Sequence, residues 1–308
     1  MTAVEGVIPV LPMPFDEDGE IEVAELRRVT EFLLGQPVRA IAFGFASEVS
    51  RLTDVERDLA LRVVADAVRG AVPVVATIQA QSTLALLRRA EAALENGATM
   101  LMVTPPAGGP FAPDDVVAHF DALDRRTGTP TIIQDAPALS GVETSVAVLA
   151  RLATEVPGVV AVKIEAAPTA PKVSALVEAL GSSASVLGGA GGLDLVNELE
   201  RGASGVMPGA AFPELFARVI EHHRAGRRDD ARALLNRMLP LLLLGTRGHD
   251  TYCHVQKAIL VRRGVLHHVR TRPPSQPLDR ALARELATAI DDAARAWPEL
   301  GLRPSVAP

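Results

Sequence analysis

Val159-Val160-Ala161-Val162-Lys163-Ile164-Glu165 is apolar except for one lysine and the closing glutamate. A short, nearly continuous apolar run is what a parallel strand covered on both faces requires. A helix-period segment, 170–181, follows it. Working outward, the same pair of patterns recurs along the chain. Apolar runs span Gly6–Phe15, Ala40–Ala46, Pro73–Gln79, Met100–Pro105, Thr131–Pro137, Val159–Glu165, Ser185–Gly189 and Gly205–Pro208. Helix-period segments alternate with them at 22–35, 54–70, 83–96, 113–126, 144–155, 170–181, 193–202 and 212–225.

Eight strand–helix cycles predict an α/β fold with a parallel sheet, and eight strands close a barrel. A doubly wound open sheet is the structural alternative. It usually carries G-x-G-x-x-G after its first strand, where this chain has Pro12-Met13-Pro14-Phe15-Asp16. The expected fold is therefore a (β/α)₈ TIM barrel over residues 1–225. Helical segments 228–244, 250–264 and 278–295 make a C-terminal helical extension over 226–308, with a loose Pro-rich tail after Trp297. Helix boundaries are marked by a capping box at Thr53–Glu56, by Pro113 with Asp114 and Asp115 in a first turn, and by Asn96-Gly97 and Gly181 at helix ends.

Composition narrows the function. The 308 residues are 48% hydrophobic and 22% charged with net charge −6, which argues against nucleic acid or an anionic membrane as partner. Aromatic residues make up 3%, with one Trp and one Tyr, too few for a base-stacking or carbohydrate platform. A lone cysteine, Cys253, excludes an internal disulfide and fits a reducing cytoplasm. The N-terminus has no basic region or apolar stretch of signal-peptide length, and no apolar run is long enough to span a bilayer. The seven histidines include no H-E-x-x-H, and neither C-x-x-C nor G-x-S-x-G occurs, so neither a metal site nor a serine triad is expected.

In a barrel, chemistry gathers where the strands end. Lys163 stands out there, since lysine is seldom buried unless paired or functional. Desolvation favours its neutral amine, which can attack a ketone and form an iminium electron sink. The plainer reading is a lysine that snorkels to solvent or pairs with Glu165, on the same face by strand alternation. Phe45-Ala46-Ser47-Glu48 could present backbone N–H groups to a carboxylate, or be an ordinary loop. Gln79 ends the third run, and Gly188-Gly189-Ala190-Gly191-Gly192 could let substrate approach the backbone.

These motifs, in this order, resemble the dihydrodipicolinate synthase / N-acetylneuraminate lyase superfamily over nearly the whole chain. The resemblance rests on Gly6 to Gly19, on Gly44-Phe45-Ala46-Ser47-Glu48-Val49-Ser50-Arg51-Leu52-Thr53 at the family's G-T-T-G-E-x-x-x-L-T loop, on Pro73 to Ala76 with Ser82-Thr83, and on Val162-Lys163. It implies a barrel with three C-terminal helices, a homo-oligomer (tetramer or dimer), and Lys163 as Schiff-base nucleophile, with no cofactor beyond the covalent imine. The chain departs from the family pattern at several points. Phe45 and Ala46 stand where the family has loop threonines, Gln134 where it has a strand-five tyrosine, Leu139 where the synthase has an arginine, and Pro106-Ala107 where it has paired tyrosines.

Ile132 to Pro137, Lys163-Ile164-Glu165, Gly188 to Gly192 and Gly202 to Pro208 look like the sugar-acid dehydratase branch, L-2-keto-3-deoxyarabonate dehydratase and its relatives. That implies dehydration of a small 2-keto-3-deoxy sugar acid. A pyruvate-dependent aldolase on another 2-keto acid is the alternative, and a non-catalytic ligand-binding barrel a third reading. The expected site comprises Lys163, Glu165, Ser47 and Gln134 for chemistry, with Phe45, Ala46, Ser47, Gln79 and Gly189 around the substrate. Glu165 ranks first as acid/base, then Ser47, then Asp135. Gln134 can only orient a water or hydroxyl, and Glu48 is expected to tie down its loop.

Overall fold

The computed structural model describes residues 4–109 and 111–303. Eight parallel strands alternate with helices: β1 (Gly6–Val7), β2 (Ile41–Ala42), β3 (Val74–Ile78), β4 (Met100–Val103), β5 (Thr131–Asp135), β6 (Val159–Ile164), β7 (Ser185–Gly188) and β8 (Gly205–Val206). The helices are α1 (Val23–Leu34), α2 (Asp54–Val68), α3 (Thr83–Glu95), α4 (Pro113–Thr127), the single turn α5 (Pro137–Ser140), α6 (Val146–Glu155), α7 (Thr169–Leu180), α8 (Leu195–Leu199) and α9 (Pro213–Arg224). After these come α10 (Arg228–Leu244), α11 (His249–Arg262) and α12 (Arg280–Ala296).

The strands run in the order β1-β8-β7-β6-β5-β4-β3-β2. Parallel bridges from Val10 to both Ala42 and Gly209, with Leu11 N–H donating to Ala42 O at 3.0 Å, close the sheet on itself. The chain is a (β/α)₈ barrel. Side-chain alternation builds two layers. Ile8, Ala42, Val75, Met102, Ile132, Ala161, Leu187 and Met207 fill the axis, while Val162, Ile164 and Val186 pack outward against the helices. The capping box is present: Thr53 Oγ1 accepts from Glu56 N–H and Glu56 Oε2 accepts from Thr53 N–H at 2.7 Å.

The first apolar run is much less regular than its sequence suggests. Only Gly6–Val7 forms a ladder, because Pro9, Pro12 and Pro14 have no N–H to give to one. The second run ends as a strand at Ala42 and continues as two 3₁₀ turns, Phe45–Ser47 and Val49–Arg51.

The expected loose tail needs correction as far as it is described. Pro298–Leu300 forms a 3₁₀ turn, Leu300 and Leu302 are buried, and Arg303 N–H donates to Arg262 O at 2.7 Å. Residues 304–308 lie outside the described residues. Among the described residues no helix is long and apolar enough to cross a membrane.

Candidate active site

Alternation along β6 turns Ala161, Lys163 and Glu165 to one side and the outward-packed Val162 and Ile164 to the other. Lys163 therefore rises from the filled axis of the barrel, its side chain 4% exposed. Its Nζ lies 2.8 Å from Glu165 Oε1. Gln134, paired in register with Lys163 across β5 and β6, donates from Nε2 to the same Oε1 at 2.8 Å. Its Oε1 is buried and has no hydrogen-bond partner among the described residues. A buried acceptor without a partner costs stability unless something binds there.

These three polar groups open into a cavity of about 580 Å³, a size that encloses a small-molecule ligand. Phe45, Ala46, Ala136, Leu139, Met207 and Pro208 supply its apolar walls. The Glu165 side chain passes over Gly189, where a Cβ would overlap Glu165 Cγ and stand 2.8 Å from Ile164 O. Gly189 thus makes room for the carboxylate, while its neighbours Ala190 and Gly191 line the cavity.

Like Gly189 itself, three more expected residues do not line the cavity. Ser47 is fully buried beneath the loop, with its hydroxyl donating to Leu11 O at 2.5 Å and accepting from Gly44 N–H at 3.1 Å. Its N–H donates to Gly44 O at 2.9 Å. Its hydroxyl and its N–H are both committed to shaping the turn, so the expected proton relay through Ser47 is corrected to a structural role. Gln79 lies just past β3, is exposed, and does not line the cavity. Asp135 faces outward, as alternation requires. Lys172 Nζ stands 2.7 Å from its carboxylate, and burial raises its pKa against that pull.

Two side chains that sequence reasoning missed also line the cavity, His249 and Tyr252 in the first turn of α11. Gly248 makes their entry possible. Its φ of 145° and ψ of 163° are open to glycine, and they turn the chain sharply into α11. The Tyr252 ring fits a gap left by three glycines. A Cβ on Gly191 would lie 3.3 Å from the ring, one on Gly245 2.9 Å from it, and one on Gly209 2.7 Å from the phenol oxygen. Burial, reinforced by the Glu165 charge, raises the phenol's pKa. Burial, aided by the Arg51 cation, lowers that of His249 and favours neutral imidazole.

What pins α11 there is Glu48. Its Oε1 meets Lys257 Nζ at 2.6 Å, both side chains fully buried, and its Oε2 accepts from Arg51 Nη1 and Arg272 N–H, each at 3.0 Å. Burial pulls the Lys257 pKa down against the attraction of Glu48. Arg51 also pairs with Asp250 on the first turn of α11. Phe15 lies beneath both cations, with Lys257 Nζ 4.8 Å and Arg272 Cζ 4.6 Å from its ring centre. Cys253 tucks its thiol under Ala46 O at 3.9 Å, and burial pushes that thiol up to about 12, out of the range of a reactive thiolate.

Comparison with known proteins agrees with this geometry. The chain is 33% identical to L-2-keto-3-deoxyarabonate dehydratase of Azospirillum brasilense over 302 residues, 95% of this chain and 96% of the relative. It is 27% identical to 4-hydroxy-tetrahydrodipicolinate synthase of Porphyromonas gingivalis over 275 residues, 88% and 91% of the two chains. The crystal structure of dihydrodipicolinate synthase from Rhodopseudomonas palustris superposes with a TM-score of 0.85 at 26% identity, covering 94% of this chain and 97% of that one. The Dihydrodipicolinate synthetase family model matches residues 3–293. A barrel with a lysine at the mouth of its sixth strand, matched to that family over nearly its whole length, belongs to the dihydrodipicolinate synthetase family and is a lyase.

Proposed function

We propose that the protein is a Schiff-base dehydratase of a 2-keto-3-deoxy sugar acid, with L-2-keto-3-deoxyarabonate as the first substrate to try. The observation that carries the reading is the buried Lys163, 2.8 Å from the carboxylate of Glu165 and open to a substrate-sized cavity. The 33% identity to the Azospirillum dehydratase supports the choice of substrate.

In this mechanism the substrate carboxylate lies against the Phe45–Ala46 turn, and the Lys163 amine adds to the C2 ketone. Loss of water from the adduct leaves an iminium, which draws electrons from the C3–H bond. Glu165 takes the C3 proton and the electron pair forms the C2=C3 bond of an enamine. The nitrogen lone pair of the enamine then re-forms the C2=N iminium, the C2=C3 pair shifts to C3=C4, and the C4–O bond breaks. Glu165 returns its proton to the departing hydroxyl, which leaves as water. Hydrolysis of the imine frees Lys163 and an unsaturated 2-keto acid. The unpartnered Gln134 Oε1 is an acceptor for a substrate hydroxyl at this step. Positioned acid/base groups of this kind contribute roughly 10²–10⁴-fold.

The test is intact-mass spectrometry with borohydride, using pyruvate and then 2-keto-3-deoxy sugar acids, on the wild type and Lys163→Ala side by side. A reduced adduct on the wild type alone supports the imine. No adduct with any keto acid sinks it and leaves a ligand-binding barrel as the better reading. Product analysis without borohydride separates dehydration from retro-aldol cleavage, in which C3–C4 breaks instead.

A further inference from the structure

We infer that the first turn of α11, with the loop before it, forms a subsite for the uncharged, hydroxyl-bearing tail of the substrate, with His249 and Tyr252 as its hydrogen-bonding groups. The inference rests on the imine reading, which places the C2 end of the substrate at Lys163. The cavity is lined by polar groups from two parts of the chain. Lys163, Glu165 and Gln134 rise from the barrel strands, whereas Thr246, His249 and Tyr252 come from a segment outside the barrel. At about 580 Å³ the space is several times larger than a three-carbon keto acid needs.

The groups that this segment contributes are neutral donors and acceptors. Among the described lining residues Lys163 is the sole lysine, and no arginine lines the cavity. A phosphate or second carboxylate on the tail would have no guanidinium or ammonium to meet there, and burying such a charge unpaired is costly. Arg51, the nearby cation that acts on His249, is already engaged by Glu48 and Asp250. Hydroxyl groups suit the wall instead. Among the described residues the hydrogen-bond partner of His249 is Cys253 Sγ, 3.8 Å from Nε2, which leaves Nδ1 for a ligand. The Thr246 hydroxyl donates to Leu243 O at 2.8 Å and keeps its acceptor capacity. The three-glycine seat fixes the Tyr252 ring, so its phenol is positioned before substrate arrives.

Selectivity, more than rate, tests this. Steady-state kcat and KM are measured for a five-carbon 2-keto-3-deoxy acid and for 4-hydroxy-2-oxopentanoate, which lacks only the terminal hydroxyl, on the wild type, His249→Leu and Tyr252→Phe. Each substitution is expected to lower kcat/KM for the hydroxylated substrate about ten-fold relative to the deoxy one, the size of one neutral hydrogen bond, chiefly through KM. His249→Gln, which keeps a polar end, recovers part of the loss. It also carries the comparison should His249→Leu not fold. Equal losses on both substrates, no loss on either, or a wild-type preference for a phosphorylated or dicarboxylic keto acid would overturn the subsite. Failure of the wild type to trap pyruvate with borohydride is a different result, which strikes the imine reading itself.

Discussion

Glu165 takes the path it does because Gly189 has no side chain. A Cβ on Gly189 would overlap Glu165 Cγ, and the Ile164 carbonyl 2.8 Å away blocks an easy shift. Gly189→Ala should therefore displace the carboxylate without removing it. Misplacing a reacting group by about 1 Å costs on the order of 10²-fold. We expect kcat to fall by about that factor while pyruvate still forms its reducible adduct. Single-turnover kinetics beside adduct mass checks this, and an unchanged kcat would show that the position of Glu165 does not matter.

Glu165→Gln asks whether the carboxylate moves the C3 proton. The amide keeps the shape but cannot accept a proton at neutral pH, so turnover should fall roughly 10²–10⁴-fold. The sharper readout is exchange of pyruvate methyl protons into deuterated water, followed by NMR. Wild type should catalyse it through the enamine and Glu165→Gln should not. Exchange at the wild-type rate would assign the base to another group.

Glu198 predicts a pH-dependent stability. It is 1% exposed, its carboxylate packs against the Gly188 backbone, and burial outweighs the opposing pull of the Thr169 hydroxyl on its pKa. Burial raises its pKa from 4.5 to about 7. Between these values the folded protein keeps a proton that the unfolded chain has lost. Its contribution is thus fully present below the unfolded value and is lost as pH rises through the folded one. The loss amounts to about 3 kcal/mol. Glu198→Gln, neutral throughout, should gain on the wild type in denaturant titrations from pH 5 to 7.5. A pH-independent difference between the two would refute the assignment.

Lys257→Met leaves Glu48 buried with one fewer partner. Breaking a buried ion pair on one side costs about 3–5 kcal/mol. The lower end is expected, since Arg51 and Arg272 still donate to the carboxylate. Adding Glu48→Gln should restore part of the loss, and a double-mutant cycle in urea reads the coupling. Additive losses would mean that the pair is not coupled.

The barrel was legible because parallel strands buried on both faces write themselves as apolar runs, and Val159–Glu165 shows the pattern, broken only by Lys163 and the closing Glu165. Lys163, Glu165 and Gln134 were legible for a related reason. Strand alternation and neighbouring register decide their meeting, and both are local properties of β5 and β6. Ser47 was misread because a hydroxyl in a loop looks the same in sequence whether it faces a ligand or its own backbone. Here Leu11 O, thirty-six residues upstream, settles the matter. His249 and Tyr252 were invisible because nothing near them signals a cavity. Their placement depends on Glu48 and Lys257 meeting 209 residues apart in the chain. Tyr252 had one clue, as the single tyrosine of the chain, with glycines at 191, 209 and 245.

Anchoring α11 on the β2 loop has an engineering consequence. Part of the cavity wall belongs to a segment that begins after the eighth strand, so stopping the chain at the end of α9 would leave Lys163 with an open mouth. The same division makes the segment from Gly245 to Tyr252 a place to change substrate preference while the barrel strands stay as they are. Grafts there should keep the Glu48–Lys257 clasp and alter only the residues that look inward.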